Sequence, residues 1–523
     1  MWNEKSNPDQ PQALATVLWI LCGLSLVFSL WVATVGWNNT IFDFHGFRQG
    51  QTAISAESIR NGAPILRYET PVFGPPWSIP FEFPLYQALV ALLAKIFGAP
   101  LDQTGRFVAE LFRYLCFFPL AAILAHCGLT RMQRIPTLAL FAASPFYNFI
   151  SHLFMIESTA LFLSLMYIDQ IFRLVQAPEG DKRRLWYITG AVSFGVLAGL
   201  VKVTTLAPFF LLAGCMLLWH FWGEYQHGRL KTGPALAVGV LCLGLPVIFT
   251  ALWTKFADAV KSQNPLGIQE TSAALKQWNF GTLAQRIHPG NYFRFFYNVN
   301  VMVGSRWLAV AVLIIAFFLC RRWLWAAAIC IALYLVTIEI FFNLHFVHEY
   351  YAYSNAIFIV GAVGIVLGAM VGLPGRAAWT GVALLAVMLG TCVIRYKLEY
   401  YDLQHENTLR RAQTAALVDR TTGPNDVILI TGLEWSSELP YQSHRRAIMA
   451  PTVPSLSPGL RQAIRNQGPD KIAAVVACAT GRSDPSLPEL LGQVGMPDTY
   501  VLHANDCDIY ARPVGRAISG TPD

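Results

Sequence analysis

The first long segment of the chain is an apolar run that strongly limits its possible folds. Between Ala13 and Val35 there is no charged side chain, and about 20 predominantly apolar residues suffice to cross a bilayer. No strongly basic segment precedes the run, and it is too long for the core of a signal peptide. We therefore expect a retained transmembrane helix rather than a cleaved leader.

Ten further apolar runs of suitable length follow along the chain. Charged residues make up 13% of the sequence and hydrophobic residues 54%, whereas roughly 25% charged residues is typical of soluble domains. This composition excludes disordered, collagen-like and disulfide-scaffold folds. It predicts a polytopic α-helical membrane protein with about eleven transmembrane helices. The later runs lie near residues 106–127, 135–151, 154–172, 185–201, 204–222, 234–254, 302–320, 323–342, 351–372 and 377–394.

The net charge of +7 indicates membrane topology rather than nucleic-acid binding, because many cations fall in short loops between apolar runs. The positive-inside rule assigns such loops to the cytoplasm. The N-terminus is then cytoplasmic, and the long loops near 36–105 and 255–301, with everything after Arg395, are external. The loops after even-numbered spans contain Arg131, Arg134, Arg173, Lys182, Arg183, Arg184, Arg229, Lys231, Arg321, Arg322 and Arg376, against the acids Glu179, Asp181 and Glu224.

Residues 396–523 differ in character from the preceding 1–395, because charged residues and prolines return. Short apolar segments, VILITG, RRAIMA, KIAAVVACA and YVLHANDCDIYAR, alternate with helical patterns near 458–467 and 485–494. This predicts a small external α/β domain after a transmembrane domain formed by 1–395. Cys478 and Cys507 both fall in this domain. Whether they form a disulfide stays open, because the sequence does not give the distance between their Cα atoms.

Ionisable residues cluster at the predicted outer ends of the spans. Such groups cost a few kcal/mol at membrane depth and are candidates for function. The topology is derived from the cytoplasmic cations alone. It places all of these ionisable residues on the outer side of the membrane, and this independent agreement predicts a membrane-embedded site. These residues are Asp43 and His45 after the first span, Glu157 at the start of the fourth, Lys202 between the fifth and sixth, Glu339 near the end of the ninth, and His348 and Glu349 before the tenth.

Each of these residues also has a structural interpretation. Asp43 could cap a following helix, although a cap normally immediately precedes the first turn. His45 would point the same way as Asp43 in an extended segment, but two ligands are a weak metal signal. Glu157 could stabilise a helix N-terminus, and Lys202 could reach lipid headgroups. Arg48 could contact headgroups or bind a phosphate, for which guanidinium is well suited.

The remaining candidates are similarly open. Arg306 and Glu339 could pair with each other, and Tyr350 and Tyr351 fit an interfacial aromatic belt as well as a substrate site. Together, carboxylates, cations and aromatic rings at one membrane surface suit a lipid phosphate carrying a sugar. The sequence contains no Walker A motif, dinucleotide-binding glycine pattern, nucleophile elbow or HExxH, which are the signatures of ATP-driven pumps, redox enzymes and common hydrolases.

The order of several short motifs resembles the GT-C superfamily of membrane glycosyltransferases that use polyprenyl-phosphate sugars. The similarity is to the branch with protein O-mannosyltransferases and lipid A aminoarabinose transferases, and it covers about the first 395 residues. FDFHGFRQGQTA after the first span is similar to the family's catalytic segment, and EFPLYQALVALLAKIFG to a helix lying on the outer surface. GLVKVTTLAP and HEYYAYSNAIFIVGAVGI resemble two later motifs, although the first lacks the family's glycine.

The resemblance implies an inverting transfer of a sugar from a polyprenyl-phosphate donor to a glycan, lipid or protein acceptor. It implies a multi-pass protein of a bacterial inner membrane, with the active site and C-terminal domain periplasmic and membrane lipids around it. No nucleic acid is implied as a partner, no cofactor is required, and a divalent metal stays open. The implied roles are catalytic for Asp43 and Glu157; donor-phosphate binding for Arg48, Lys202, His348 and Tyr351; and substrate binding for His45, Glu82, Tyr86, Glu339 and Tyr350.

Three other functions remain as alternatives. An oligosaccharide ligase also uses polyprenyl donors, but it would favour one large loop late in the chain over an acid in the first loop. A transporter or flippase of lipid-linked sugars would distribute its charged residues through the depth of the bilayer. A sensor with an external domain would not explain Lys202.

Overall fold

The computed structural model describes residues 12–41, 44–406, 411–450, 454, 456–496 and 501–512. The chain divides into two compact units. The helical unit comprises Met1–Asn39, Arg106–Trp253 and Lys276–Glu406, and the sheet unit comprises Thr40–Gly105, Thr254–Leu275 and Asn407–Asp523. This division differs from the predicted boundary at residue 395, because the two long loops cluster with the C-terminal residues.

Helices account for most of the helical unit. The first is Gln12–Thr34, followed by Leu101–Leu115, Phe117–His126, Arg131–Ala143, Pro145–Ser151, Glu157–Gln176, Arg183–Gln226, Thr232–Gly239, Leu245–Lys261, Lys276–Phe280, Leu283–Ile287, Pro289–Val303, Arg306–Leu319, Leu324–Ile340, Phe342–Val347, Ala356–Val371, Arg376–Glu399 and Tyr401–His405. A π-helical segment, Val240–Gly244, and 3-10 segments, Arg321–Trp323 and Glu349–Tyr353, connect some of them. Leu101–Leu115 and Leu245–Lys261 have residues in both units.

Seven helical stretches of the described residues are long and apolar enough to cross a membrane, or eight if one bent pair is counted as a single span. The multi-pass helical prediction is confirmed, but the count of eleven is not. The seven are Gln12–Thr34, Leu101–His126, Glu157–Gln176, Arg183–Gln226, Thr232–Lys261, Arg321–Ile340 and Arg376–Glu399, and the bent pair is Pro289–Val303 with Arg306–Leu319 at 85°.

Local backbone geometry accounts for part of the difference in count. The predicted span 135–151 is two short helices, because Ser144 precedes a proline and takes an extended ψ of 118°. The predicted spans 185–201 and 204–222 are the two parts of Arg183–Gln226, which contains 44 residues and one non-helical position. At 1.5 Å per residue this helix would measure roughly 66 Å if straight, about twice the thickness of a hydrocarbon core.

The core of the helical unit is the helix Ala356–Val371, whose residues are all buried. Its glycines allow close approach to the helix Arg131–Ala143. A Cβ added at Gly368 would lie 2.0 Å from the Gln133 carbonyl oxygen, and one at Gly364 would lie 2.4 Å from Thr137 Oγ1. Small residues at such contacts are typical of helices packed within membranes.

The sheet unit contains a five-stranded sheet, as the C-terminal sequence pattern predicts. Its strands are β1 (Val427–Thr431), β2 (Arg446–Met449), β3 (Ile472–Cys478), β4 (Val501–Ala504) and β5 (Cys507–Ala511), in the order β2-β1-β3-β5-β4. β1 pairs in parallel with β2 and β3, whereas β5 is antiparallel to β3 and β4. β1 and β3 are almost wholly buried and continuously apolar, as expected of central parallel strands.

Six helices complete the described part of the sheet unit. Two of them, Pro458–Gln467 and Leu487–Gln493, correspond to the helices predicted near 458–467 and 485–494. The others are Gly46–Arg60, Leu85–Phe97, Ala412–Thr421 and Glu438–Gln442, and the 3-10 segments are Ile65–Arg67, Gly267–Glu270, Pro469–Lys471 and Ala479–Ser483.

The first long loop extends the sheet at the edge formed by β2. The amide of Ala447 donates to the Pro71 carbonyl at 2.9 Å and the amide of Met449 to Val72 at 3.1 Å. Arg446 forms an ion pair with Glu69 at 2.6 Å. The loop therefore covers an edge whose backbone groups would otherwise be exposed.

The second long loop is anchored to the first by Asn264. Its side-chain amide donates to the carbonyls of Gly74 at 2.8 Å and Pro76 at 2.9 Å, and its oxygen accepts from the amides of Leu266 and Gly267. With a further bond to the Phe73 carbonyl at 3.3 Å, one polar side chain satisfies five backbone groups, four of them in buried positions.

Cys478 and Cys507 are directly opposed on β3 and β5 and form a disulfide, with Cα atoms 4.0 Å apart. The bond closes a sequence separation of 29 residues. Restricting the unfolded chain in this way stabilises the folded state by typically about 2–4 kcal/mol.

We expect a thiol titration of the denatured, unreduced protein to detect eight thiols, because eight of the ten cysteines are free. After reduction all ten should react. A Cys478→Ala/Cys507→Ala variant should also give eight thiols, unchanged by reduction, and should unfold at a lower temperature. Ten reactive thiols in oxidised wild-type protein would contradict the disulfide.

Candidate functional site

Lys202 interrupts the long helix of the helical unit. Its backbone is extended, with φ −161° and ψ 98°, inside Arg183–Gln226. β-Branched neighbours, Val201 and Val203, lower helix propensity, and Pro208 cannot donate to the carbonyl four residues before it. The sequence predicted a short loop at Lys202, and the structure reduces that loop to a one-residue break.

The ammonium of Lys202 forms a buried ion pair with Glu157. Nζ lies 2.5 Å from both Oε1 and Oε2, and the side chains are 8% and 2% exposed. Glu157 is the first residue of the helix Glu157–Gln176, where the helix dipole stabilises an anion. Lys202 is therefore held by a carboxylate and does not extend toward lipid headgroups.

Two tyrosines complete the environment of Lys202. Nζ lies 4.4 Å from the ring centre of Tyr351 and 5.4 Å from that of Tyr350, distances suited to cation–π attraction. His348 stacks on Tyr350 with ring centres 5.1 Å apart. The structure thus brings together five of the predicted site residues from three parts of the sequence, and we call Glu157, Lys202, His348, Tyr350 and Tyr351 the lysine cluster.

Glu339 belongs to a different group of side chains. Tyr292 donates to its Oε1 at 2.6 Å, and Arg286 donates to its backbone carbonyl at 3.0 Å. Arg306 instead lies over the rings of neighbouring aromatic residues, with its guanidinium carbon 5.1 Å from the ring centre of Tyr297. The suggested pairing of Arg306 with Glu339 is therefore wrong.

In the sheet unit, Arg48 and Glu82 form an ion pair, with side chains 12% and 20% exposed. Arg48 also donates from Nη1 to Gln51 at 2.8 Å. Two predicted site residues from different motifs are thus in direct contact. Glu82 fixes the orientation of the Arg48 guanidinium through a charge-assisted contact.

His45 starts the helix Gly46–Arg60 in a left-handed conformation, with φ 55° and ψ 33°. The expected extended segment that would align His45 with Asp43 is therefore not present at His45. Such a conformation is strained for a residue other than glycine and occurs often at functional positions. Asp43, the predicted catalytic acid, lies outside the described residues.

Tyr86 has a buried position in the sheet unit. Its ring is fully buried, and its hydroxyl donates to the Gly105 carbonyl at 2.7 Å. These contacts fix the helix Leu85–Phe97 relative to the following segment. The substrate-binding role of Tyr86 stays a prediction, and its observed contacts are structural.

Arg106 is an important side chain that the sequence analysis overlooked. Its fully buried guanidinium donates to the carbonyls of Trp37 at 2.5 Å, Asn39 at 3.2 Å and His152 at 3.0 Å. It therefore fixes the end of the first helix, immediately before the predicted catalytic segment. Arg106, Glu110 and Arg113 are three charged residues within the predicted span 106–127, and this was the signal that could have identified Arg106.

The described residues contain no group of three or more His, Cys, Asp or Glu side chains arranged to hold a metal ion. Asp43 lies outside the described residues, and a metal bound by Asp43 and His45 stays a prediction.

Glu270, in the second long loop, is a further buried acid. Burial raises its pKa to about 7, while Lys261 opposes the shift and Glu434 adds to it. The Lys261 ammonium donates to the backbone carbonyl of Glu270 at 2.6 Å and pairs with Asp258 at 3.2 Å. The carboxyl of Glu270 therefore stays protonated up to a higher pH in the folded protein than in the unfolded chain.

Comparison with solved structures identifies a GT-C-like fold. The apo structure of ArnT from Cupriavidus metallidurans has 14% identity and a TM-score of 0.59, covering 96% of this chain and 98% of that one. The same protein bound to undecaprenyl phosphate has 14% identity and a TM-score of 0.54, covering 98% of this chain and 99% of that one. A third structure is the oligosaccharyltransferase AglB from Archaeoglobus fulgidus in complex with an inhibitory peptide and a dolichol-phosphate. It has 11% identity and a TM-score of 0.52, covering 89% of this chain and 69% of that one. No protein-family model matches the chain, and no curated protein matches it by sequence.

We expect Glu270→Gln to remove part of the pH dependence of stability. Because the folded pKa, about 7, exceeds the unfolded value of 4.5, the wild type should lose roughly 3 kcal/mol between pH 4.5 and 7 through this group. The variant should match wild type near pH 4.5 and be more stable at pH 8. Thermal unfolding at several pH values measures this. Glu406→Gln is an exposed control, and an equal difference from wild type at both pH values would contradict the prediction.

We expect Lys202→Met to destabilise the protein by about 3–5 kcal/mol, because it leaves the Glu157 carboxylate buried without its cation. The double variant Lys202→Met/Glu157→Gln should be more stable than Lys202→Met alone, since no uncompensated charge remains. Unfolding in detergent measures both, with Lys231→Met at an exposed ion pair as the control. If the double variant is no more stable than Lys202→Met, Lys202 and Glu157 do not act as a pair.

Proposed function

We propose that the protein is an inverting glycosyltransferase that moves a sugar from a polyprenyl-phosphate donor to an acceptor on the outer face of a bacterial cytoplasmic membrane. The observation that carries this proposal is the lysine cluster, a buried cation held by a carboxylate and flanked by aromatic rings in a GT-C-like fold. Two solved structures with this fold hold a polyprenyl phosphate, which is undecaprenyl phosphate in ArnT and a dolichol-phosphate in AglB.

The reaction requires two kinds of assistance. The acceptor hydroxyl attacks the anomeric carbon from the face opposite the phosphate, so the new glycosidic bond forms with inversion while the bond to phosphate breaks. The hydroxyl proton must pass to a base, and we assign this role to Asp43. The departing polyprenyl phosphate gains negative charge, which a preorganised cation stabilises.

Lys202 has the properties required of such a cation. Its ammonium is buried, and Glu157 offsets the cost of keeping it charged there. An ammonium has three N–H donors, so a bond to Glu157 does not by itself exclude a bond to a phosphate oxygen. His348 and Tyr351 are placed beside Lys202 and would share the binding of the donor.

Glu157 is better suited to positioning than to catalysis. Both of its oxygens accept from Lys202, and a carboxylate held in this way is a poor acceptor for the proton of a substrate hydroxyl. We therefore propose that Glu157 orients Lys202 and that Asp43 is the base. Arg48, held by Glu82, would add a second cation for the donor or acceptor.

We expect the purified protein to release free polyprenyl phosphate from one member of a panel of polyprenyl-phosphate sugars when a suitable acceptor is present, as measured by mass spectrometry. Asp43→Asn should lower the rate by roughly 10²–10⁴-fold through loss of a general base. Lys202→Met should lower it through loss of charge stabilisation. Asp402→Asn, at an exposed position, and Lys231→Met serve as controls.

Four outcomes would contradict parts of this proposal. Normal turnover by Asp43→Asn would remove Asp43 from the role of base. Normal turnover by Lys202→Met would leave the lysine cluster without a catalytic role. Donor binding without turnover would instead favour a transporter of lipid-linked sugars, and absence of both binding and turnover with every donor would contradict the donor class.

A further inference from the structure

The sheet unit contains a polar cavity of about 710 Å³. Its walls come from the end of the helix Gly46–Arg60, the first long loop, and the residues that begin β1 and β2. The volume lies within the range of about 300–1,000 Å³ that is usual for small-molecule sites. The lining side chains with the clearest chemistry are Glu57, Glu69, Trp77, Asn425, Asp426 and Arg446.

Most of the charged side chains that line this cavity are already held in ion pairs. Arg446 pairs with Glu69 at 2.6 Å, His444 with Glu57 at 3.4 Å, and Arg445 with Asp419 at 2.9 Å. An anionic ligand would have to compete with these carboxylates, and a cationic ligand with these bases. The cavity therefore favours a ligand without net charge that carries many hydrogen-bonding groups.

The cavity also presents an aromatic ring beside its polar groups. Trp77 is partly exposed, and the Arg446 guanidinium lies 5.3 Å from its ring centre. Asp426 accepts from the Gly423 amide at 2.7 Å, which fixes its orientation at the cavity wall, and Asn425 beside it is exposed. A flat ring next to carboxylate and amide groups matches a sugar, which has an apolar face of C–H bonds and a rim of hydroxyls.

The cavity lies away from the Arg48–Glu82 ion pair within the same unit. Arg48 and Glu57 are on one helix, and at 100° per residue their side chains leave it on opposite faces. They are separated by about 14 Å along the helix axis at 1.5 Å per residue. A ligand in the cavity would thus be bound by residues other than those assigned to transfer.

We propose that this cavity is a binding site for an uncharged saccharide, distinct from the residues that transfer the sugar. In this site Trp77 packs against the face of a sugar ring, and Asn425 and Asp426 bind its hydroxyls. The inference concerns binding alone and does not depend on the proposed transfer reaction.

Binding to the full-length protein in lauryldimethylamine oxide, a detergent without a sugar headgroup, tests this inference. The probes are maltotriose, cellotriose, mannotriose and chitotriose, with inorganic phosphate and an acidic peptide as charged competitors, measured by saturation-transfer NMR and calorimetry. We expect at least one trisaccharide to bind. Trp77→Ala should weaken its binding by roughly tenfold or more, and Asp426→Asn should weaken it as well.

The controls separate this site from the transfer reaction and from misfolding. Asp470→Asn, exposed and outside the cavity, should bind like wild type. Asp43→Asn should also retain binding, even if it abolishes transfer. Asp426→Asn preserves the shape of its side chain, so it reports on the cavity even if Trp77→Ala fails to fold.

Four results would overturn the inference: no trisaccharide binds, Asp426→Asn binds as tightly as wild type, phosphate or the acidic peptide displaces the saccharide, or Asp43→Asn loses saccharide binding. The last result would assign the saccharide to the transfer residues instead.

Discussion

The helical unit depends on a buried charge that must be neutralised. Lys202 interrupts a helix within a predominantly apolar segment, and its ammonium would be costly there without Glu157 at 2.5 Å. The pair gains little net stability over apolar residues, because both groups lose their hydration. It does specify one arrangement, since any slip of the helix would separate the two charges. Tyr350 and Tyr351 are ordered around the same ammonium.

The parts of this fold that sequence predicted are those determined by local patterns. Apolar runs gave the membrane helices, and short apolar segments near Val427 and Ile472 gave the strands of the sheet. The count of eleven spans is not confirmed. The break at Lys202 lies where the sequence placed it, between the runs 185–201 and 204–222, whereas the break at Ser144 divides a run predicted as one span. A hydropathy pattern averages over about 19 residues and does not resolve a one-residue break such as that at Ser144.

The candidate site shows the same limit. An isolated lysine in an apolar context identified Lys202, but its partner, Glu157, is distant in sequence and could not be assigned. Glu339 was placed with Arg306, whereas the structure pairs it with Arg286 and Tyr292. Arg106 was overlooked because its partners are backbone carbonyls, which leave no trace in the sequence. Long-range pairing requires coordinates, even when the individual residues can be recognised.

The edge contact between the first long loop and β2 also affects how the protein is made. Phe73 forms a β-bridge with Ile448, although most of the helices of the chain lie between these two residues in the sequence. The loop therefore emerges from the ribosome long before its partner strand. At about 5–20 residues per second the delay is roughly 20–75 seconds. During this time the loop has no sheet to join, and its apolar residues are available to chaperones or proteases. Completion of the sheet unit is therefore tied to the final stage of synthesis.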